Sequence, residues 1–329
     1  MISRPLVLAL VLAAAACAPG DPFRIADRGI GGTGISNEDR GIGGTGVYGT
    51  VTAFGSIVVN GLTVAYDAGT PTTLDGAPSA AAALAIGQVV ALEAEGRSGR
   101  LTARSIAIET AVIGPITALA PEGDRFTVLG QSVRSATPPS LPLRAGDWVA
   151  VSGLRTAQGD IVATRIDPRA TGGPVSVRGT VTAATTNGFQ IGALAVEAPR
   201  SPPVGAQALV SGTPTPSGML AITVVEPAAV PFGGRVARVS IEGYIGRAPA
   251  AGRAIVSGVS VAIGRDVRGS AALATDARVT VEGRLDRSGL IEVDRVDTTG
   301  AGRSTPDAGR DRGGRSDGGR GEGAGASGR

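Results

Sequence analysis

The chain has no lysine, no histidine and one cysteine, Cys17, and all 31 of its basic side chains are arginine. Without histidine there is no imidazole base, no Ser-His-Asp or Cys-His arrangement and no imidazole metal ligand. One cysteine builds neither a thiolate cluster nor an internal disulfide. Aromatic residues make up only 3% of 329 residues, which leaves few platforms on which bases could stack. What is plentiful is glycine, 52 residues, with 21 prolines, the composition of a chain with many turns. The length allows two or more domains.

Met1 to Arg4 is a short, singly positive leader, and Leu6 to Ala16 is an apolar run too short to span a bilayer as a mature helix. Ala14-Ala15-Ala16 directly before Cys17 resembles the cleavage site of a bacterial lipoprotein signal peptide, although Ala14 stands where that pattern favours leucine. The resemblance implies that residues 1–16 are removed and that Cys17 becomes a lipidated first residue. Lipidation would consume a thiol that is otherwise a liability in a secreted protein.

Residues 17–46 read as a Gly-rich tether. They hold a duplicated segment, Asp27-Arg-Gly-Ile-Gly-Gly-Thr-Gly-Ile35 and Asp39-Arg-Gly-Ile-Gly-Gly-Thr-Gly-Val47. Each copy satisfies G-x-G-x-x-G, but a dinucleotide fingerprint follows a strand and opens a helix. Here no apolar strand precedes either copy, and a strand follows the second, so no cofactor-binding residue is assigned.

From Val47 to Thr298 four landmarks recur four times. The first is a strand with a central glycine: Gly49-Thr-Val51, Gly114-Pro-Ile116, Gly179-Thr-Val181 and Gly243-Tyr-Ile245. The second runs from Ile57 to Val64, Phe126 to Val133, Phe189 to Val196 and Ala254 to Val261, with Asn60-Gly61, Leu129-Gly130 and Ser257-Gly258 where a tight hairpin needs glycine. Copy three has Gly192-Ala193 instead. The third begins at Gly87, Gly146, Gly205 and, in copy four, Asp276, with apolar residues three and five positions on, the period of a half-buried strand.

The fourth landmark pairs a glycine with apolar residues two and seven positions later: Gly99, Leu101, Ile106; Gly159, Ile161, Ile166; Gly218, Leu220, Val225; Gly289, Ile291, Val296. That spacing changes parity, so a bulge must absorb one residue. Copy one also inserts Pro78 to Ile86, whose Ala80-Ala-Ala-Ala83 suits a helical turn between the third and fourth strands. In copies two and three the same place carries Pro138-Pro139 and Pro202-Pro203, which leave room for a vestigial helix only.

The order matches that of an oligonucleotide/oligosaccharide-binding (OB) barrel. The fold expected is all-β: four tandem small OB-like barrel or sandwich modules at 47–110, 111–168, 175–227 and 236–298, followed by a disordered Arg/Gly-rich tail at 299–329. Gly49-Thr-Val-Thr, Ile57-Val-Val-Asn-Gly61, Gly146-Asp-Trp-Val-Ala-Val-Ser-Gly153 and the preceding Gly-Ile-Gly-Gly-Thr-Gly segment resemble the bacterial envelope family known as domain of unknown function 5666. That resemblance implies small barrel-like repeats behind a signal sequence and brings no reaction with it.

Single-strand binders of this architecture need a basic groove and exposed aromatics. The repeats have almost balanced charge, and Phe126 and Phe189 fall at core positions, so nucleic acid is not the expected partner. Trp148 sits one residue out of phase with the apolar positions of its strand and is the candidate interaction surface. The tail holds six Arg against four acidic residues, a mixture that favours solubility over binding. Glu93 and Glu95 share a strand face, but the other copies do not repeat them, and charges there discourage edge aggregation. No catalytic residue, metal ligand or cofactor is assigned.

The reading expected is a non-catalytic, lipid-anchored cell-envelope binding or scaffold protein, facing the periplasm from the outer membrane. Its partners would be the membrane, through the anchor at Cys17, and an envelope polymer or protein. A glycan- or small-ligand-binding lipoprotein with one functional module is the alternative, and a carboxylate-based hydrolase comes third.

Overall fold

The computed structural model describes residues 44–97, 99–135, 142–227, 230–233, 236–250, 252–268 and 273–298. Cys17 with its leader, the tether up to residue 43, Pro138-Pro139 and the tail lie outside the described residues. The described chain is all-β. It opens with β1 (Gly44–Ala53), β2 (Ile57–Val59), β3 (Leu62–Ala65), the short hairpin β4 (Thr72–Leu74) and β5 (Ala77–Ser79), β6 (Val89–Arg97) and β7 (Arg100–Glu109). Then follow β8 (Val112–Leu119), β9 (Arg125–Val128), β10 (Gln131–Ser135), β11 (Trp148–Arg155) and β12 (Ile161–Pro168). Next are β13 (Val175–Thr185), β14 (Gly188–Ile191), β15 (Leu194–Glu197), β16 (Gln207–Thr215) and β17 (Gly218–Val225). The last are β18 (Val236–Ala250), β19 (Arg253–Val256), β20 (Val259–Arg268), β21 (Arg278–Leu285) and β22 (Ile291–Thr298).

The ladders close on themselves in each of these groups. In the first, β1 pairs β2 and β6, β2 pairs β3, β3 runs parallel to β7, and β7 returns to β6. The circuit is thus five strands with one parallel seam, the closure of an OB barrel. The same circuit joins β8–β12, with β10 parallel to β12. It recurs in β13–β17 and in β18–β22. We call these barrels 1 to 4.

Closure uses one clasp throughout. Val51 N donates to Gln88 O, and Gly87 N returns a bond of 2.8 Å to Val51 O. Ile116 with Gly146, Val181 with Gly205, and Ile245 with Asp276 repeat the pair of bonds. The glycines turn with φ near 90°, and Asp276 reaches the left-handed region at 63°, a conformation Asp tolerates better than most residues. The departure at Asp276 therefore leaves barrel 4 closed.

The hairpin between the second and third strands is equally regular. Asn60-Gly61, Leu129-Gly130 and Ser257-Gly258 have positive φ at both central residues, the type I′ pattern. Gly192-Ala193 has it at the first only, which is why that copy has glycine one place earlier. Each turn folds over the central glycine of the opening strand: a Cβ on Gly114 would lie 2.7 Å from Leu129 Cγ, and one on Gly179 2.7 Å from Ile191 Cγ2.

The bulge demanded by the parity change is present in all four barrels, where Arg104, Thr164, Ile222 and Asp294 are skipped in the ladders. Copy three departs from the expected phase. The residues of β17 that face the core are Met219, fully buried, and Val224, partly buried, rather than Leu220 and Val225. The cause is Gly218, which pairs Thr215 inside the ladder and approaches the Ala195 carbonyl, whereas Gly99, Gly159 and Gly289 sit in turns with φ of 81–91°.

The inserted Ala run forms a 3₁₀ turn at Ala81–Ala83, between the third and fourth barrel strands. The β4–β5 hairpin before it was not anticipated and extends the barrel edge, β4 pairing parallel to β7. Residues 44–46, read as tether, already belong to β1, where Gly44 to Gly46 pair in parallel with β18. Phe126 and Phe189 are buried as their phase required.

Ladders also cross between barrels. β1 and β18 join barrels 1 and 4, and β8 and β13 join barrels 2 and 3. Barrels 2 and 3 share one continuous apolar core, while barrels 1 and 4 each have their own.

Candidate functional site

Two features arise where barrels meet. The first is a groove of about 1210 Å³ lined by barrels 1, 2 and 4, with Trp148 in its wall. Trp148 opens β11 opposite Pro115 of β8, and its carbonyl accepts a 2.8 Å bond from Arg169 N. Trp148, like Leu143 and Ile166, is partly buried against the barrel 2–3 core. The side chain is half-buried and borders the groove, so packing and surface presentation coexist.

Four arginines border the same space: Arg144, Arg165, Arg169 and Arg278. Arg165 is held by Asp167 at 2.6 Å and donates to Ile86 O. Arg278 is held by Glu242 at 2.7 Å. Arg144 and Arg169 are exposed, and among the described residues neither guanidinium meets a carboxylate. The groove thus offers one aromatic face and two uncommitted cations.

The second feature lies at the junction of all four barrels, around a cavity of about 760 Å³. Arg178 of β13 reaches Glu109 at 3.4 Å and Asp75 at 3.7 Å, and Tyr48 donates a long 3.4 Å bond to Glu109. Asp75 also accepts from Thr110 N at 2.9 Å and from the Thr110 hydroxyl. Burial pushes the Glu109 carboxyl above its ordinary value; the attraction of Arg178 opposes this and the nearby Asp75 adds to it. The Tyr48 phenol is likewise raised, first by burial and then by Glu109. Arg155 donates to Arg178 O at 2.6 and 2.9 Å and to Gly159 O, and burial lowers its pKa to about 10.

These charges compensate one another, so the cluster reads as a keystone between barrels. Sequence reasoning missed it, because Tyr48, Asp75, Glu109, Arg155 and Arg178 come from three barrels and share no spacing. Glu93 and Glu95 are also engaged elsewhere. Glu93 accepts from Gly233 N at 2.5 Å, and Glu95 pairs with Arg104 at 2.5 Å. Among the described residues no group of three or more acidic or cysteine side chains is placed to hold a metal ion, and no helix is long and apolar enough to cross a membrane.

Residues 48–107 and 113–167 match the model of a protein family described as a domain of unknown function, DUF5666. Barrels 1 and 2 are thus similar to this family. The two DUF5666 matches begin within β1 and β8 and end within β7 and β12, so each covers one closed barrel. The second contains Trp148. No curated protein and no solved structure matches the chain.

Proposed function

We propose that this protein is a non-catalytic binding protein of the bacterial envelope, tethered through a lipid on Cys17, that holds an acidic glycan in the Trp148 groove. The observation that carries the reading is a groove with Trp148 in its wall and, among the described residues, two guanidinium groups, Arg144 and Arg169, that meet no carboxylate. An indole covers the apolar face of a sugar ring, and arginine forks match carboxylate or phosphate oxygens. The groove exceeds the roughly 300–1,000 Å³ usual for small-molecule pockets, which suits a segment of a polymer.

The site is not repeated. The positions equivalent to Trp148 are Val89, Gln207 and Arg278, which favours one functional barrel over avidity among four similar surfaces.

Isothermal titration of the protein with acidic and neutral oligosaccharides tests the binding. Acidic chains are expected to bind with an affinity that falls as salt is added, Trp148→Ala to abolish binding, and the double variant Arg144→Ala/Arg169→Ala to remove the preference for acidic over neutral chains. Equal binding by the Trp148→Ala variant, or no binding of any acidic chain, refutes the groove. Incorporation of a fatty-acid probe in cells, lost in Cys17→Ser, tests the anchor separately; label that survives this change refutes it.

A further inference from the structure

Among the described residues, four of the seven exposed large apolar side chains lie in barrel 3, the others being Phe54, Ile86 and Ile255. Ile222 is 74% exposed, Val204 60%, Leu220 48% and Val225 46%. Leu220, Ile222 and Val225 form the outer face of β17, turned outward by the one-residue shift that puts Met219 and Val224 inside. The equivalent outer positions in barrel 1 are Thr102, Arg104 and Ala107, and in barrel 4 Glu292, Asp294 and Asp297. Those faces are polar or charged. The strand edge differs as well. β15 pairs β17 only at Met219 and Leu220, whereas β4 covers the far half of β7 and β20 follows β22 as far as Arg295.

Barrel 2 shows what this face is used for. Its equivalents, Val162, Thr164 and Asp167, lie on β12, and there the Ile86–Gly87 turn of barrel 1 docks. The Thr164 hydroxyl donates to Gly87 O at 2.6 Å, and Arg165 donates to Ile86 O at 3.1 Å. The fit is close, since a Cβ on Gly87 would lie 2.9 Å from Arg165 Cβ. Gly87 is the clasp glycine of barrel 1, so the internal contact is a clasp turn of one barrel set on the bulged fifth strand of another.

The same turn in barrel 3 is Val204–Gly205. Val204 stands where Ile86 does, and nothing lies within 4 Å of a Cβ placed on Gly205. Of the other two clasp turns, Gly146 is also open and borders the Trp148 groove, whereas Asp276 accepts from Ala157 N at 2.6 Å. Barrel 3 therefore carries the equivalents of both halves of the contact that joins barrels 1 and 2, made apolar in turn and in strand face, and neither has a partner within the described chain.

We infer that barrel 3 is a self-association surface, in which the Val204–Gly205 turn of one copy of the chain docks on the Leu220–Ile222–Val225 face of a second copy. The occupant is a second copy because the turn that fits the face is supplied by the same barrel. Each copy offers one turn and one face, so the contact closes as a reciprocal two-fold pair or propagates head to tail. Ile222 and Thr223 stand where barrel 2 has Thr164 and Arg165, so burial of apolar surface supplies more of the attraction here than in the barrel 1–2 contact, whose two hydrogen bonds go to main-chain carbonyls while the Ile86 side chain stays exposed.

Sedimentation equilibrium of the full chain, in detergent matched to the density of the solvent, reads the association. The expected result is a mass that rises with concentration to at least twice that of the monomer. Replacing the face with the residues of barrel 1 (Leu220→Thr, Ile222→Arg, Val225→Ala) is expected to give a monomer with unchanged far-UV circular dichroism, and Val204→Glu alone, at an exposed turn, to weaken association at least tenfold. A mixture of the face variant and the turn variant is expected to form a mixed pair, because one intact turn then meets one intact face. A wild-type chain that is monomeric throughout overturns the inference. So does association that survives Val204→Glu, and that variant decides the matter should the triple variant fail to fold.

Discussion

Glu242 provides a quantitative test of how the barrels are joined. Its carboxylate is buried where β18 lies beside β1, with 6% of the residue exposed. One oxygen accepts from Thr50 N at 2.9 Å, and the other accepts from Arg278 at 2.7 and 2.9 Å. Thr50 belongs to barrel 1, and Glu242 and Arg278 to barrel 4, so one side chain spans the seam. In Glu242→Ala the Thr50 amide loses its acceptor in a dry site, which costs about 1–3 kcal/mol. Arg278 loses its counter-charge as well. Breaking a buried pair costs about 3–5 kcal/mol, and the 28% exposure of the Arg278 side chain places this case at the low end. The two losses share one group and do not add, so the expected destabilisation is about 3 kcal/mol. Glu242→Gln keeps an acceptor for Thr50 and loses only charge, for about 1–2 kcal/mol. Urea unfolding followed by both circular dichroism and Trp148 fluorescence gives these values if the two signals coincide, which also establishes whether the barrels unfold together. A loss below about 1 kcal/mol for Glu242→Ala, or equal losses for the two variants, refutes the assignment of Glu242 as the tie across the seam.

Two further predictions follow from the junction and the bulges. Because burial raises the Glu109 pKa above its ordinary 4.5, the folded chain holds a proton that the unfolded chain has released, and this group's contribution to stability falls as pH rises from 4.5 through the raised value. The difference in urea midpoint between wild type and Glu109→Gln should therefore shift in favour of the wild type as pH is lowered through that window, and a shift the other way contradicts the burial argument. Gly212 faces the bulge of β17, where a Cβ would overlap the Leu220 carbonyl, so Gly212→Ala should cost about 2–3 kcal/mol. Gly146→Asn has open space around it and only a left-handed backbone to satisfy, so it should cost about 1 kcal/mol, and equal thermal shifts for the two variants would refute the steric account.

The repeat was legible because each landmark answers a backbone demand. A type I′ turn needs left-handed residues at Asn60-Gly61 and its equivalents, and the spacing from Leu101 to Ile106 cannot keep both side chains inside without a bulge. The clasp glycines signal a left-handed turn in the same way. Phase was misread where a glycine served a different end. Gly218 is needed for its approach to the Ala195 carbonyl rather than for a turn, and a glycine does not announce which of these it answers. The β4–β5 hairpin was hidden in a segment whose Gly, Pro and Ala content carries no period. The Tyr48–Glu109–Asp75–Arg178 cluster was out of reach for another reason: its members come from different barrels, and each appears once. The family match also stops at residue 167, so barrels 3 and 4 are joined to the family pattern by shared ladders and bulges.

Four copies of one closed barrel fix the backbone and leave the outward positions free to diverge, and specialisation is found at those positions. The residue beside the clasp is Val89 in barrel 1, Trp148 in barrel 2, Gln207 in barrel 3 and Arg278 in barrel 4. Val89 and Gln207 line the central junction, while Trp148 and Arg278 line the groove. The bulge residue is Arg104, Thr164, Ile222 or Asp294, and these are respectively paired with a carboxylate, docked on a neighbouring barrel, bare and apolar, and joined to Arg238 at 3.2 Å. Neither position contributes to closing the barrel, since closure is carried by main-chain ladders and by the clasp. Substitutions there can change what a barrel meets without disturbing how it folds. This is why the groove and the barrel 3 surface lie where the copies disagree, and why variants that borrow the residue of another copy test them with the least risk to the fold.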